Sequence, residues 1–189
     1  MMKTNKKVLM LCEGAIMIAL SIALSYIEIE LGAFGGSIGF AMIPIAVFAL
    51  RHGCLWGIFV GFIFGTLKFF IGGGQVLNWV SLLLDYSVAY SAVGLAGLFT
   101  KTKNRHIAAA LGTAVGCLGR FIVSFISGIT VYAEYAESSY LGISTPNAFI
   151  YSIIYNGAYM LPSTVIAIIL VPVVMLALDR YKLGTIGKN

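Results

Sequence analysis

Charge is scarce in this chain. Only 10% of its 189 residues are Asp, Glu, Lys or Arg, while 60% are hydrophobic, too little polar surface to keep a soluble domain dispersed. The three cysteines, Cys12, Cys54 and Cys117, have no C-x-x-C spacing and read as small apolar residues rather than disulfides, metal ligands or a redox pair. There is no G-x-x-x-x-G-K-[ST] nucleotide loop and no H-E-x-x-H metal pair. Any uphill movement of a solute must therefore draw on an ion gradient or on another subunit. Two histidines, His52 and His106, fall in loops, and no second carboxylate lies deep in an apolar run beside Asp85. A nucleophile or a paired acid and base is thus missing, and the expectation is a protein that is not an enzyme, without metal or cofactor.

What is abundant is apolar sequence in runs of roughly 20 residues, the length that crosses a hydrocarbon core of ~30 Å. The expected fold class is an all-α integral membrane protein, a bundle of six transmembrane helices forming a single domain over residues 1–189. The spans fall at about residues 8–27, 38–50, 53–71, 76–99, 107–131 and 148–178. The second is short for a full crossing. The longest external connection, residues 132–147, is the one able to form a lid.

The few charges set the expected orientation. Lys3, Lys6 and Lys7 precede the first span, and Arg51 separates the second from the third. Lys101, Lys103 and Arg105 join the fourth to the fifth, and Arg180, Lys182 and Lys188 follow the last. The alternate loops hold Glu28, Glu30, Glu134 and Glu137 instead. By the positive-inside rule both termini and every basic loop are cytoplasmic. The net charge of +5 then belongs to a membrane rim facing anionic lipid, not to a nucleic-acid surface.

A charge at mid-bilayer costs roughly 2.5–3.5 kcal/mol on insertion scales, so Lys68, Asp85 and Arg120 are informative exceptions. Lys68 sits near the outer end of its span and either snorkels or faces inward. Asp85 and Arg120 lie deeper, and form either a buried ion pair locking two helices or part of a polar cavity open to the outside. Their neighbours favour a cavity. Tyr86 follows Asp85, while Ser124 is one turn from Arg120, and Gly128 and Tyr132 continue along that face. On the last span Tyr151, Tyr155 and Tyr159 recur every four residues, with Asn156 among them, and an amide in a membrane helix needs a partner helix or a ligand. One carboxylate, one amide and several aromatics suit a small, flat, cationic heteroaromatic molecule. In the first span Ala15, Ala19 and Ala23, four apart, make a smooth stripe on which another helix can pack closely.

Several stretches carry a family resemblance over nearly the whole chain. They are Gly35-Gly-Ser-Ile-Gly-Phe-Ala-Met-Ile-Pro44 running on to Leu50-Arg-His-Gly53, then Leu82-Leu-Leu-Asp-Tyr86, then Arg120 to Gly128. The most distinctive is Ile150-Tyr-Ser-Ile-Ile-Tyr-Asn-Gly-Ala-Tyr-Met-Leu-Pro162. The chain resembles the thiamine-specific substrate-binding subunits (S-components, the ThiT or YuaJ family) of energy-coupling factor transporters. The resemblance implies that Asp85 engages the ligand and that Tyr86, Arg120, Tyr151 and Asn156 are further binding positions. Tyr132 falls where the family can carry a stacking tryptophan, and Phe34 is a candidate second stacking group. Ser124 departs from the pattern, since a histidine often lines the pocket there. The implied role is a plasma-membrane subunit that binds thiamine from outside and delivers it through a scaffold subunit and two ATPases. The stripe of Ala15, Ala19 and Ala23 would be the docking surface for that scaffold. Alternatives are the same fold binding a pyridoxine-like or aminopyrimidine ring, or a self-sufficient proton-coupled carrier with Asp85 as its protonated group.

Overall fold

The computed structural model describes residues 6–31, 36–72, 76–102 and 104–180. Phe34, and Lys3, Lys103, Lys182 and Lys188 of the charge pattern, lie outside the described residues. Among the described residues six main helices form a bundle: α1 (Lys6–Ser25), α2 (Met42–His52), α3 (Cys54–Gly72), α4 (Trp79–Phe99), α5 (Arg105–Thr130) and α6 (Ala148–Arg180). All except α2 are long and apolar enough to cross a membrane. The expected spans begin and end within a few residues of these helices, the second having been expected to start four residues before α2 does.

The short second span has a different role from the others. Its 11 residues rise only about 16 Å, roughly half a hydrocarbon core. Every residue from Met42 to Leu50 is buried, so the helix is apolar all round because protein covers it all round. Pro44 sits in its first turn, where the missing N–H costs no helix hydrogen bond. Around it gather Phe64, Tyr90, Val93, Ala96, Ala109, Cys117, Ala167, Val171 and Met175 in one continuous apolar core.

Glycine decides how α3 meets α4. A Cβ on Gly61 or Gly65 would run into the carbonyls of Tyr90 and Tyr86, and one on Gly57 would lie 3.0 Å from the Cα of Gly94. Small residues four apart thus let two backbones touch. Along that seam α4 is irregular. It opens on a capping box in which Asn78 accepts from the Ser81 amide at 2.9 Å and Ser81 Oγ accepts from the Asn78 amide at 3.1 Å. It then widens to a π-helix over Leu82–Val88 and tightens to a 3₁₀ turn over Gly94–Phe99. π-turns of this kind frequently mark functional sites, and this one carries Asp85 and Tyr86.

The last helix has 33 residues, about 50 Å, well beyond what a crossing needs. Leu161, Val165, Ile169 and Val173 are exposed every four residues, while Ser163, Ala167, Val171 and Met175 on the opposite side are buried. The exposed stripe is the lipid-facing one.

Two hairpins cover the end of the bundle away from Lys6 and Arg180. The first pairs β1 (Ile29–Glu30) with β2 (Ser37–Ile38) between α1 and α2. The second pairs β3 (Ser139–Tyr140) with β4 (Ile143–Ser144) in the long connection before α6. Its tip, Leu141 and Gly142, has φ of 52° and 78°, the left-handed pair that a tight hairpin turn requires. At the opposite end Glu13 on α1 ties down α2, with Arg51 Nε at 2.6 Å and His52 Nε2 at 3.0 Å.

Candidate functional site

The hairpin end of the bundle contains a cavity of about 700 Å³, its open mouth included, between α3, α4, α5, α6 and the first hairpin. Asp85 and Tyr86 reach it from the π-turn of α4, and Arg120, Ser124 and Gly128 from one face of α5. Tyr132 follows from just beyond α5, while Tyr151 and Asn156 come from α6. The eight described residues expected from the sequence therefore line one space. Phe34 falls outside the described residues, although its near neighbours Gly36 and Ser37 line the cavity.

The charges inside are arranged, not merely present. Lys68 turns inward: its Nζ donates to Glu28 Oε1 at 2.8 Å, to Oε2 at 2.7 Å and to the Tyr90 hydroxyl at 3.1 Å. It does not snorkel; it is neutralised by the first hairpin, where Ser37 also donates to Glu28. Arg120 is buried, donates from Nη2 to the Tyr90 hydroxyl at 3.1 Å and lies 4.1 Å from the Tyr90 ring centroid. Its Nε is buried without a hydrogen-bond partner among the described residues. Asp85 accepts from Ser127 Oγ at 2.8 Å. No ion pair joins Asp85 to Arg120 among the described residues, so of the two readings open from the sequence, helix lock or cavity, the geometry is that of the cavity. Asp85 is then the lining carboxylate whose charge no basic side chain cancels by contact.

The walls are tyrosines. Tyr151 and Tyr155 stack at 5.7 Å and 13°, Tyr155 meets Tyr159 edge-on at 5.7 Å, and Tyr140 of the second hairpin covers Tyr151 and Tyr155. The Tyr155 hydroxyl accepts from the Gly36 amide at 3.1 Å, pinning the first hairpin to α6. Tyr86 is held edge-on against Phe69 at 5.6 Å. Just beyond α5, burial and then the nearby Asp85 charge raise the Tyr132 phenol above its ordinary value. Asn156 is tied on both ends: its Nδ2 donates to Ser152, and its Oδ1 accepts from the Tyr159 hydroxyl at 2.7 Å.

Lys68, Tyr90 and Ser152 also line the cavity without having been placed there from the sequence, as do Tyr155 and Tyr159, which the sequence offered as part of an aromatic stripe but not as binding residues. Tyr155 and Tyr159 were visible as a four-residue stripe, which an interfacial aromatic belt imitates. Tyr90 lies five residues beyond Asp85, a spacing that faces the same way only because of the π-turn. Ser152 carried no signal. On the outer surface of α1, Ala15, Ala19 and Ala23 are all exposed, so the stripe is not consumed by packing inside the bundle.

Fold and cavity together define a multi-pass membrane protein with a polar and aromatic cavity inside its helix bundle. Residues 11–183 match the family described as thiamine transporter protein (Thia_YuaJ), and the chain belongs to that family. The thiamine transporter ThiT of Lacticaseibacillus paracasei is 30% identical over 201 residues, covering 100% of this chain and 97% of that protein. ThiT of Bacillus subtilis is 32% identical over 194 residues, covering 95% and 96%. A solved structure of ThiT from Listeria monocytogenes matches with a TM-score of 0.78 at 26% identity, covering 93% of this chain and 98% of that one. The family is one of transporters, not of enzymes.

Proposed function

We infer that this chain is the substrate-binding subunit of an energy-coupling factor importer for thiamine, working in the plasma membrane with both termini cytoplasmic. The observation that carries the reading is Asp85: a carboxylate lining a tyrosine-walled cavity, without a contacting cation, in a member of a family named for thiamine transport. Thiamine supplies the missing partner, a permanently cationic thiazolium joined to a flat aminopyrimidine. The carboxylate balances the charge, the tyrosine faces take the rings, and Asn156 meets a polar edge. Tyr86, Arg120, Ser124, Gly128, Tyr132 and Tyr151 complete the site, with Phe34 a further stacking group. The pocket opens at the hairpin end, which the charge pattern of the loops makes the external face.

The chain has no nucleotide-binding loop, so release inward depends on a transmembrane scaffold subunit and two ATPases. The exposed stripe of Ala15, Ala19 and Ala23 is a close-contact surface for that scaffold. The test is thiamine titration of the purified protein, followed by Trp56 and Trp79 fluorescence, with pyridoxine and the free aminopyrimidine as competitors. Sub-micromolar binding displaced by neither competitor is the expected result. No binding, or displacement by pyridoxine, would move the specificity to another ring and end the thiamine reading.

A further inference from the structure

The geometry points to Ser152 and Tyr159 as positioning residues that lock the Asn156 amide with its oxygen toward the cavity, so that the site selects a ring bearing an amine over the same ring bearing a carbonyl. The claim deepens the thiamine reading and rests on it.

The direction of the amide follows from what each partner can do. Asn156 Nδ2 lies 2.9 Å from the backbone carbonyl of Ser152 and 3.1 Å from Ser152 Oγ. A carbonyl only accepts, so the end of the amide facing it must be the NH₂. Ser152 Oγ is free to accept because its own proton goes to the carbonyl of Phe125 on α5, at 3.1 Å. Both contacts to Ser152 thus come from the NH₂ end, and the other end, Oδ1, accepts from the Tyr159 hydroxyl at 2.7 Å. An amide oxygen only accepts, so the proton between Tyr159 and Asn156 is the phenol's. Each donor in the chain has one acceptor to go to. Reversing the amide would set Oδ1 against the Ser152 carbonyl.

Gly128 makes the arrangement possible. Any Cβ at position 128 would collide with Ser152 Oγ and stand 3.5 Å from Asn156 Nδ2. Its absence lets α5 and α6 approach until Ser152 bridges them. Asn156, Ser152 and Tyr159 are all buried, so the chain does not exchange its partners for water.

What remains for a ligand is the second lone pair of Oδ1, an acceptor. Asn156 and Tyr159 both line the cavity from α6, where the thiamine reading seats a flat ring. Of the donors on thiamine, the amine is the one carried in the plane of an aromatic ring. In the 4-oxo analogue a carbonyl replaces that amine, and two acceptors would face each other in a dry site.

The experiment measures the affinity ratio of thiamine to its 4-oxo analogue on the same preparation, for the wild type and for Tyr159→Phe and Ser152→Ala. The wild type is expected to prefer thiamine by about tenfold or more, the usual consequence of leaving a buried acceptor unpaired. Each variant, by loosening one end of the amide, is expected to shrink that ratio at least threefold, as two independent tests of the lock. A general loss of packing would weaken both ligands alike and leave the ratio where it was. Thiamine binding without discrimination in the wild type would overturn the assigned polarity. Discrimination unchanged in both variants would remove Ser152 and Tyr159 from the role. Failure of the wild type to bind thiamine at all would instead sink the functional reading beneath it.

Discussion

Replacing Asp85 by Asn changes little in shape and keeps an oxygen for Ser127 Oγ, which now donates at 2.8 Å, yet it removes the one lining carboxylate that no cation contacts. A cation seated about 4 Å from that carboxylate gains about 4 kcal/mol at an effective dielectric of 20. The cavity has an open mouth, so part of this is screened. Removing one member of a desolvated charge pair costs about 2–5 kcal/mol in binding. Arg120 lines the same cavity and, with Asp85 neutralised, would repel the ligand unopposed. A loss of about 2–4 kcal/mol is the result, roughly 30- to 1,000-fold in dissociation constant. Titration of Asp85→Asn with thiamine gives the number. A neutral isostere, with thiophene in place of thiazolium, separates charge from shape, because its affinity should fall far less. Thiamine binding within threefold of the wild type, or equal losses for the two ligands, would refute the electrostatic role of Asp85.

Lys68→Met leaves the half-buried Glu28 beside the first hairpin without its counter-charge, a loss smaller than the roughly 3–5 kcal/mol of breaking a fully buried pair. The melting midpoint in detergent should fall, and adding Glu28→Gln should recover part of the loss; an unshifted midpoint would mean the pair is not structural. Ala19→Trp, on the exposed face of α1, should spare thiamine binding by the solitary subunit and abolish uptake by cells. Persistent uptake would remove the alanine stripe from partner docking.

The positions of the long helices were legible because a run of roughly 20 apolar residues has few other uses. The second helix was legible as a segment but not in its role: a buried apolar helix and a short crossing read alike until its covering is seen. In the site, Asp85 and Arg120 stood out by the cost of charge in lipid, and Ser124 and Gly128 followed from helical spacing. Lys68 was undecided because the residue that turns it inward, Glu28, lies 40 positions earlier on a hairpin that the hydropathy pattern does not announce. Tyr90 was lost to the π-turn, since an extra residue per turn rotates everything beyond it relative to an ideal helix. The carboxylate–guanidinium relation of Asp85 and Arg120 needed coordinates, because proximity along two helix faces does not distinguish contact from a shared cavity.

The burial of α2 has a consequence for permeability. Tyr90 lines the cavity and belongs also to the apolar core around Met42–Leu50. A solute seated above would therefore meet close-packed hydrocarbon on its way to the end that holds Lys6 and Arg180. Exposing the large side chains of this plug, Met42, Ile43, Ile45, Val47, Phe48 and Leu50, to water would cost on the order of 10 kcal/mol. Thermal opening of that route would then be confined to roughly one molecule in ten million at any instant. The cavity would then be a cup with a packed apolar floor, able to hold a solute without opening a path through the bundle.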